Sequence, residues 1–266
     1  MADDAIRTGG PGATGQRSRQ HTIAEVVLRR GTVGIDDLVA ITGVSTMTIY
    51  RDIAALEDAG LVQRHRGRIT AVATGLHEAS AAFRVEQQGT AKQAMGALVA
   101  GWIHPGSSLL LDDSTSGVFL LRALTDKSQL TIVTNSLLVA REATEHPDWR
   151  LFVTGGEYQA WADALMGPTT LTTLAGIDAD YCVLSASGIS DGRCHHPYQD
   201  VAAVKSQMLA CARTRILLLD HTKFARHALH AFARLDEFDH VVVDAEATPD
   251  QRDQLADWGA TVDVAG

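Results

Sequence analysis

Two groups of side chains in this sequence have the chemistry to hold phosphate or to read base edges, and they lie far apart in the chain. The first is Ser45, Thr46, Met47, Thr48, Tyr50 and Arg51, with Arg64, His65, Arg66 and Arg68 soon after. A guanidinium can fork onto the paired acceptors of guanine, a hydroxyl can bond phosphate or a base edge, and the apolar parts of Met and Tyr can touch a thymine methyl. The second group is spread over Asp112, Ser114, Thr115 and Ser116, then Thr134, Asn135 and Ser136, then Gly155 and Gly156, then Ser187 and Gly188, with Lys205 and Lys223 beyond. Hydroxyls and backbone amides at the start of a helix can cradle an anion, glycines allow close backbone approach, and lysines supply point charge. A Ser/Thr cluster at a strand end is also what an ordinary helix cap looks like.

The elements that must position the first group are short helices. Residues 17–30 carry apolar positions at helical spacing, including Ile23, Val26 and Val27, and Gly31 follows as a stop. A second helix spans 35–41, with Asp36 and Asp37 near its positive end, and Gly43 allows a tight turn. Ser45 caps a third helix over 46–59, whose inward stripe is Ile49, Ile53 and Leu56, and Gly60 closes it. That stripe leaves Thr46, Met47, Thr48, Tyr50 and Arg51 on the outer side or the tip. Two strands, 61–62 and 69–72, flank a basic ribbon at 64–68. The pattern predicts a helix-turn-helix with a wing, occupying 17–72 after a flexible tail at 1–16 and followed by a linker helix at 73–90.

From 91 to 266 the pattern is α/β. Helices are predicted at 91–103, 118–124, 136–144, 168–175, 201–212 and 249–258, and strands at 108–111, 130–133, 151–154, 181–185, 215–219, 240–243 and 261–264. Short apolar strands alternating with helices imply a mainly parallel sheet covered on both faces. Every residue of the second group falls just after one of these strands or on an adjoining helix, where open α/β sheets bind their ligands.

Charge divides the chain the same way. The net charge is −9, yet residues 1–70 hold nine Arg and eight acids, leaving −10 for the remainder. A locally basic head on an acidic body fits a nucleic-acid reader with a separate sensing domain. No apolar run approaches the ~18 residues of a membrane span, and the start of the chain lacks the layout of a signal peptide. Cys182, Cys194 and Cys211 form no CxxC pair and fit buried thiols in a reducing cytoplasm.

The stretch RQHTIAEVVLRRGTVGIDDLVAITGVSTMTIYRDIAALEDAGLVQRHRG, residues 19–67, resembles the winged helix-turn-helix of the DeoR family. Two departures stand out: Tyr50 replaces a second Arg, and Arg66-Gly67-Arg68 replaces Gly-Gly. Residues 86–244 are similar to the sensor domain of the same family, related in fold to ribose-5-phosphate isomerase and CoA transferases. The markers are Leu110–Ser116, Val133–Ser136, Thr154–Gly156, Ser185–Ile189, Val204-Lys205 and Asp220–Lys223. Here too there is a departure, since Asp113 and Ser114 replace the Ser and Gly of the D-S-G-T-T loop.

The resemblance implies a regulator, a repressor by preference, that binds double-stranded operator DNA as a dimer or tetramer and responds to a phosphorylated sugar. The alternative is a sugar-phosphate-converting enzyme with a DNA-targeting head. Aldose–ketose conversion needs a carboxylate base. The related isomerases carry acids in the loop that here reads Ser185-Ala186-Ser187-Gly188, so no catalytic residue and no cofactor are assigned. Arg193-Cys194-His195-His196 has metal-ligand residue types, but adjacent ligands seldom converge on one ion, and it reads as a polar loop without metal.

Overall fold

The computed structural model describes residues 11–71 and 78–266, and it divides into two units, Met1–His77 and Glu78–Gly266. In the first, helices α1 (Pro11–Arg30), α2 (Ile35–Thr42) and α3 (Thr46–Asp58) accompany strands β1 (Thr32–Gly34), β2 (Val62–His65) and β3 (Arg68–Ala71). Ile23, Val27, Leu38, Ile49, Ile53, Leu56 and Ile69 are fully buried, so each helix turns its apolar stripe inward. The strands form one antiparallel sheet in the order β1-β3-β2. Arg66 and Gly67, both at positive φ, make the two-residue turn of the wing, a geometry matching the twist of the flanking strands.

Several boundaries differ from the sequence expectation. Pro11–Gln16, expected as tail, belongs to α1, and Pro11 takes the first helical position, where its missing N–H costs nothing. The strand expected at 61–62 runs from Val62 to His65, so Arg64 and His65 sit on paired backbone. Strand β1 was not foreseen, because three residues are too few to show alternation and it exists only through pairing with β3.

The linker helix expected over 73–90 is not continuous. Residues 72–77 lie outside the described residues, Glu78–Ser80 are not helical, and α4 covers only Ala81–Glu86. Ser80 Oγ caps α4 by accepting from Phe83 N, and Gln88 breaks the chain at φ +52° before α5 (Gly89–Ala100). Lys92 Nζ explains the break by donating to the carbonyls of Arg84 at 2.5 Å and Gln87 at 2.7 Å, which end α4.

The second unit is built on seven parallel strands: β4 (Ser108–Leu111), β5 (Thr131–Thr134), β6 (Arg150–Val153), β9 (Ala179–Ser185), β12 (Ala212–Leu219), β14 (His240–Asp244) and β15 (Val262–Ala265). Between them run β7 (Glu157–Gln159), β8 (Ala164–Met166), β10 (Gly188–Ser190), β11 (Arg193–His196) and β13 (His230–Arg234). The helices are α6 (Thr115–Ala123), α7 (Leu137–Thr144), α8 (Pro168–Leu174), α9 (Gln199–Ala210) and α10 (Pro249–Asp257). The large sheet has the order β15-β14-β12-β9-β4-β5-β6.

Strand side chains alternate between two cores. Leu110, Cys182, Leu184, Leu217 and Leu219 join the one under α8 and α9, while Leu109, Leu111, Val183, Ile216 and Leu218 join the one under α5, α6 and α7. The chain builds outward from β4 to β6, returns to β9, and builds outward the other way. Strand order therefore reverses between β4 and β9, the switch point where a crevice opens at the strand C-termini.

Two smaller sheets were not expected from sequence. β7 pairs with β8, and β11 lies between β10 and β13. Arg193–His196, expected as a polar loop, is thus a paired strand with Cys194 and His196 buried. All three cysteines are buried, and burial pushes the Cys182 and Cys194 thiols up, away from the thiolate form. Among the described residues no helix is long and apolar enough to cross a membrane.

Candidate functional site

In the first unit, Ser45 Oγ accepts from Thr48 N at 3.3 Å and lies 2.9 Å from Thr48 Oγ1, fixing the first turn of α3. These two hydroxyls are therefore cap groups first, and Thr48 is half-buried. Ser45, Thr46, Met47, Tyr50 and Arg51 are exposed, Met47 to 64%, an unusual exposure for so apolar a side chain. Arg64, His65, Arg66 and Arg68 are exposed along the wing, and the Arg64 guanidinium lies over the Tyr50 ring at 5.4 Å. Glu57 Oε1 accepts from Arg64 N at 2.7 Å, tying the end of α3 to β2.

The sequence reading passed over the residue that holds α3 in place. Asp52 is buried and accepts from Arg19 Nε at 2.5 Å, Arg19 Nη2 at 3.2 Å and Gln20 Nε2 at 3.2 Å, clamping α1 to α3. The signal was present: Asp52 lies between Ile49 and Ile53 on the inward stripe, and a carboxylate there requires a partner.

In the second unit, the loops after β4 and β9 meet at the switch point. Asp112 Oδ1 accepts from Ser114 N at 2.9 Å, and its Oδ2 accepts from Ser185 N at 3.4 Å and from Lys205 Nζ. Lys205 also donates to Ser185 O at 3.1 Å and stands 3.4 Å from Asp113. Lys205 and Asp112 are wholly buried, so instead of lying open to an anion they lock the two loops together. Burial pushes the Asp113 carboxyl up, but Lys205 and Arg84 outweigh it and hold Asp113 at about 2.

Ser114 stands at the cap of α6 without bonding its amides, whereas Ser136 Oγ accepts from Val139 N at 3.2 Å and caps α7. The start of α6 therefore keeps donors that α7 has already used. Thr115 Oγ1 donates to Arg84 O at 3.4 Å, and Ser116 is buried beside it. Thr134 Oγ1 accepts from Ser136 N at 3.0 Å, and Asn135 Nδ2 donates to Leu165 O at 2.9 Å.

Two glycines expected to admit a ligand instead admit the chain's own backbone. A Cβ on Gly156 would stand 2.6 Å from Met166 O as well as 2.2 Å from the Thr170 hydroxyl, and one on Gly188 would stand 2.1 Å from Arg226 O. Gly155 O accepts from Thr170 Oγ1 at 2.7 Å. Ser187 Oγ donates to the Glu78 carboxylate, and Lys223 lies 3.8 Å from Asp220 at the crevice edge.

Two family models match this chain: residues 19–74 match the DeoR-like helix-turn-helix domain, and residues 87–245 match the DeoR C terminal sensor domain. The chain belongs to the DeoR family of transcriptional regulators. Among DeoR-family relatives, the HTH-type transcriptional repressor CsqR of Escherichia coli (strain K12) is 33% identical over 77% of this chain and 79% of its own. The glycerol-3-phosphate regulon repressor of the same strain is 32% identical over 86% of this chain and 91% of its own. A ribose 5-phosphate isomerase A structure from Methanocaldococcus jannaschii overlaps 50% of this chain and 53% of its own at TM-score 0.36 and 12% identity, too loose an overlap to weigh.

This DeoR-family sensor domain also holds residues that no motif indicated. Arg84 on α4 reaches Asp113 at 3.5 Å and lies over the Trp161 ring at 5.8 Å. Trp161 packs against Tyr198 with centroids 4.7 Å apart, and both line a cavity of about 240 Å³ with Gln159, Met166, Asp200 and Val201. His196 lies against the same two rings, and its Nδ1 accepts from Tyr198 N at 3.1 Å, so it is neutral. Burial lowers His196 to about 4. Among the described residues no three His, Cys, Asp or Glu side chains converge as metal ligands would.

Proposed function

We propose that this DeoR-family regulator represses a carbohydrate operon, with operator affinity set by a phosphorylated sugar bound in the second unit. Ser45, Thr46, Met47, Thr48, Tyr50 and Arg51 meet the major groove, and Arg64, His65, Arg66 and Arg68 meet the backbone or adjacent minor groove. The effector lies at the switch point, over the start of α6 at Ser114, Thr115 and Ser116, beside Ser187, Gly188 and Lys223. Asp112 and Lys205 hold that loop from beneath, and Thr134, Asn135, Ser136, Gly155 and Gly156 brace the neighbouring wall. Binding there shifts the balance between DNA-competent and DNA-incompetent arrangements, and linkage makes the effect reciprocal. Two or more copies, as a dimer or tetramer, place heads on spaced half-sites.

The observation that carries this reading is the outer face of α3, which keeps Met47, Tyr50 and Arg51 exposed beside a basic wing. The enzyme alternative needs a base, and Glu78 does bring a carboxylate to Ser187. Burial raises that carboxyl, but Arg84, Lys223 and Arg226 outweigh it and hold Glu78 at about 2, far too weak a base to take a carbon-bound proton. The test selects binding sequences from random DNA with the full chain, then titrates sugar phosphates against the selected site. Arg51→Ala should abolish specific binding while the body's melting is unchanged. If no sugar phosphate moves either operator affinity or melting temperature, the sensing half of the reading fails.

A further inference from the structure

Glu78 is the first residue of the second unit, and the chain toward the head leaves from it. A lone acid at such a place would ordinarily turn to solvent. Instead its side chain is buried, accepts from Ser187 Oγ beyond β9, and lies in the positive field of Arg84, Lys223 and Arg226. Its backbone N–H points to Tyr198 Oη at 3.5 Å, and Ala81 N donates to Trp161 O at 2.7 Å, so the segment is stitched into the crevice wall.

The charges around it are nearly balanced. Asp112 and Asp113 are bound to Lys205, and Asp220 is paired with Lys223. Arg84, shared with Asp113, and Arg226 add two positive charges, so that with Glu78 the four acids and four bases balance. Remove the Glu78 carboxylate, and the crevice presents a net positive charge of about one, carried by three cationic side chains beside a hydroxyl donor, a donor set that suits a phosphate monoester.

We propose that the Glu78 carboxylate is a built-in occupant of the effector's anion site, and that a phosphate monoester binds among Ser187, Arg84, Lys223 and Arg226 by displacing it. This rests on the reading of the crevice as an effector site. Glu78 is tethered, so it competes at a fixed effective concentration and sets a threshold the effector must exceed. Because Glu78 begins the second unit, its release changes where the chain leaves the body, which gives occupancy a route to the linker.

The experiment uses the full chain with two probes, inorganic phosphate and glucose 6-phosphate, followed by calorimetry and thermal shift. Glu78→Gln keeps the side chain's shape and removes its charge. Without probe it should melt below wild type. If the carboxylate holds the site about nine-tenths of the time, the variant should half-saturate at about one-tenth of the wild-type probe concentration.

Equal or weaker binding by the variant, with wild type responding, overturns the displacement idea and leaves the effector site standing. No response by either protein to either probe overturns both. Hydrogen exchange on the wild type tests the same point if the variant does not fold. Amides at 78–81 should exchange faster at saturating probe, and slower or unchanged exchange overturns the proposal.

Discussion

Buried charges at the switch point each answer to a named partner, and their protonation should therefore govern stability in separable pH windows. His196 has its folded value at about 4, below the ordinary 6.5, because it is buried and its Nδ1 already accepts an N–H. As pH falls below 6.5 the unfolded chain takes up a proton that the folded chain refuses, so stability drops until about pH 4, by at most roughly 3 kcal/mol. Glu78 and Asp113, both held at about 2, act lower: the stability they contribute is full above their ordinary values of 4.5 and 3.8 and is lost toward pH 2. Urea unfolding of His196→Gln should show a flattened profile between pH 6.5 and 4 and an intact fall below. An unchanged slope in the upper window would remove His196 from this account. Sequence could offer Lys205 only as a free cation, because nothing in its neighbours reveals that Asp112 lies against it.

Between elements, the decisive contact is the one from α1 to α3. The Asp52 carboxylate accepts three hydrogen bonds from Arg19 and Gln20, and without it a largely buried guanidinium loses its partner. Asp52→Asn should destabilise the head by about 3 kcal/mol. The check is two-step melting in which only the head's transition moves, with specific DNA affinity falling as the head unfolds. The same scale explains which elements were readable. α3 is long enough for a period to show, β4 reads as an unbroken apolar run, and Ser45 and Gly43 mark the turn. β1, β7, β8 and β10 span three residues each and exist because a partner strand lies beside them. The linker fails as one helix because Lys92, eight residues beyond Arg84, reaches back to the carbonyls that end α4.

For the whole molecule, the large sheet ends at β6, where Phe152 and Val153 are 44% and 37% exposed, and Tyr158 on β7 is 52% exposed. An open edge with aromatic side chains invites pairing, and a second copy of this chain is the partner that the proposed multi-headed binding requires. Phe152→Glu should lower the mass measured by sedimentation and weaken operator binding through lost avidity, while a single half-site is bound as before. Unchanged mass would move the interface elsewhere.

The chain's own order of residues settled what is local. Helical stripes, caps and turn glycines place α3 and the wing, apolar runs place the parallel strands, and recurring family motifs mark the loops after them. Tertiary structure alone decided which of those loop residues face the crevice. Lys205 and Asp112 were drawn under the loop, Gly156 and Gly188 were spent on backbone packing, and Glu78, Arg84 and Trp161 arrived from segments without a motif. The reason is physical. Periodicity and capping are set within a few residues, whereas a buried charge takes whichever opposite charge the fold brings near, as Lys205 takes Asp112 from 93 positions away in sequence.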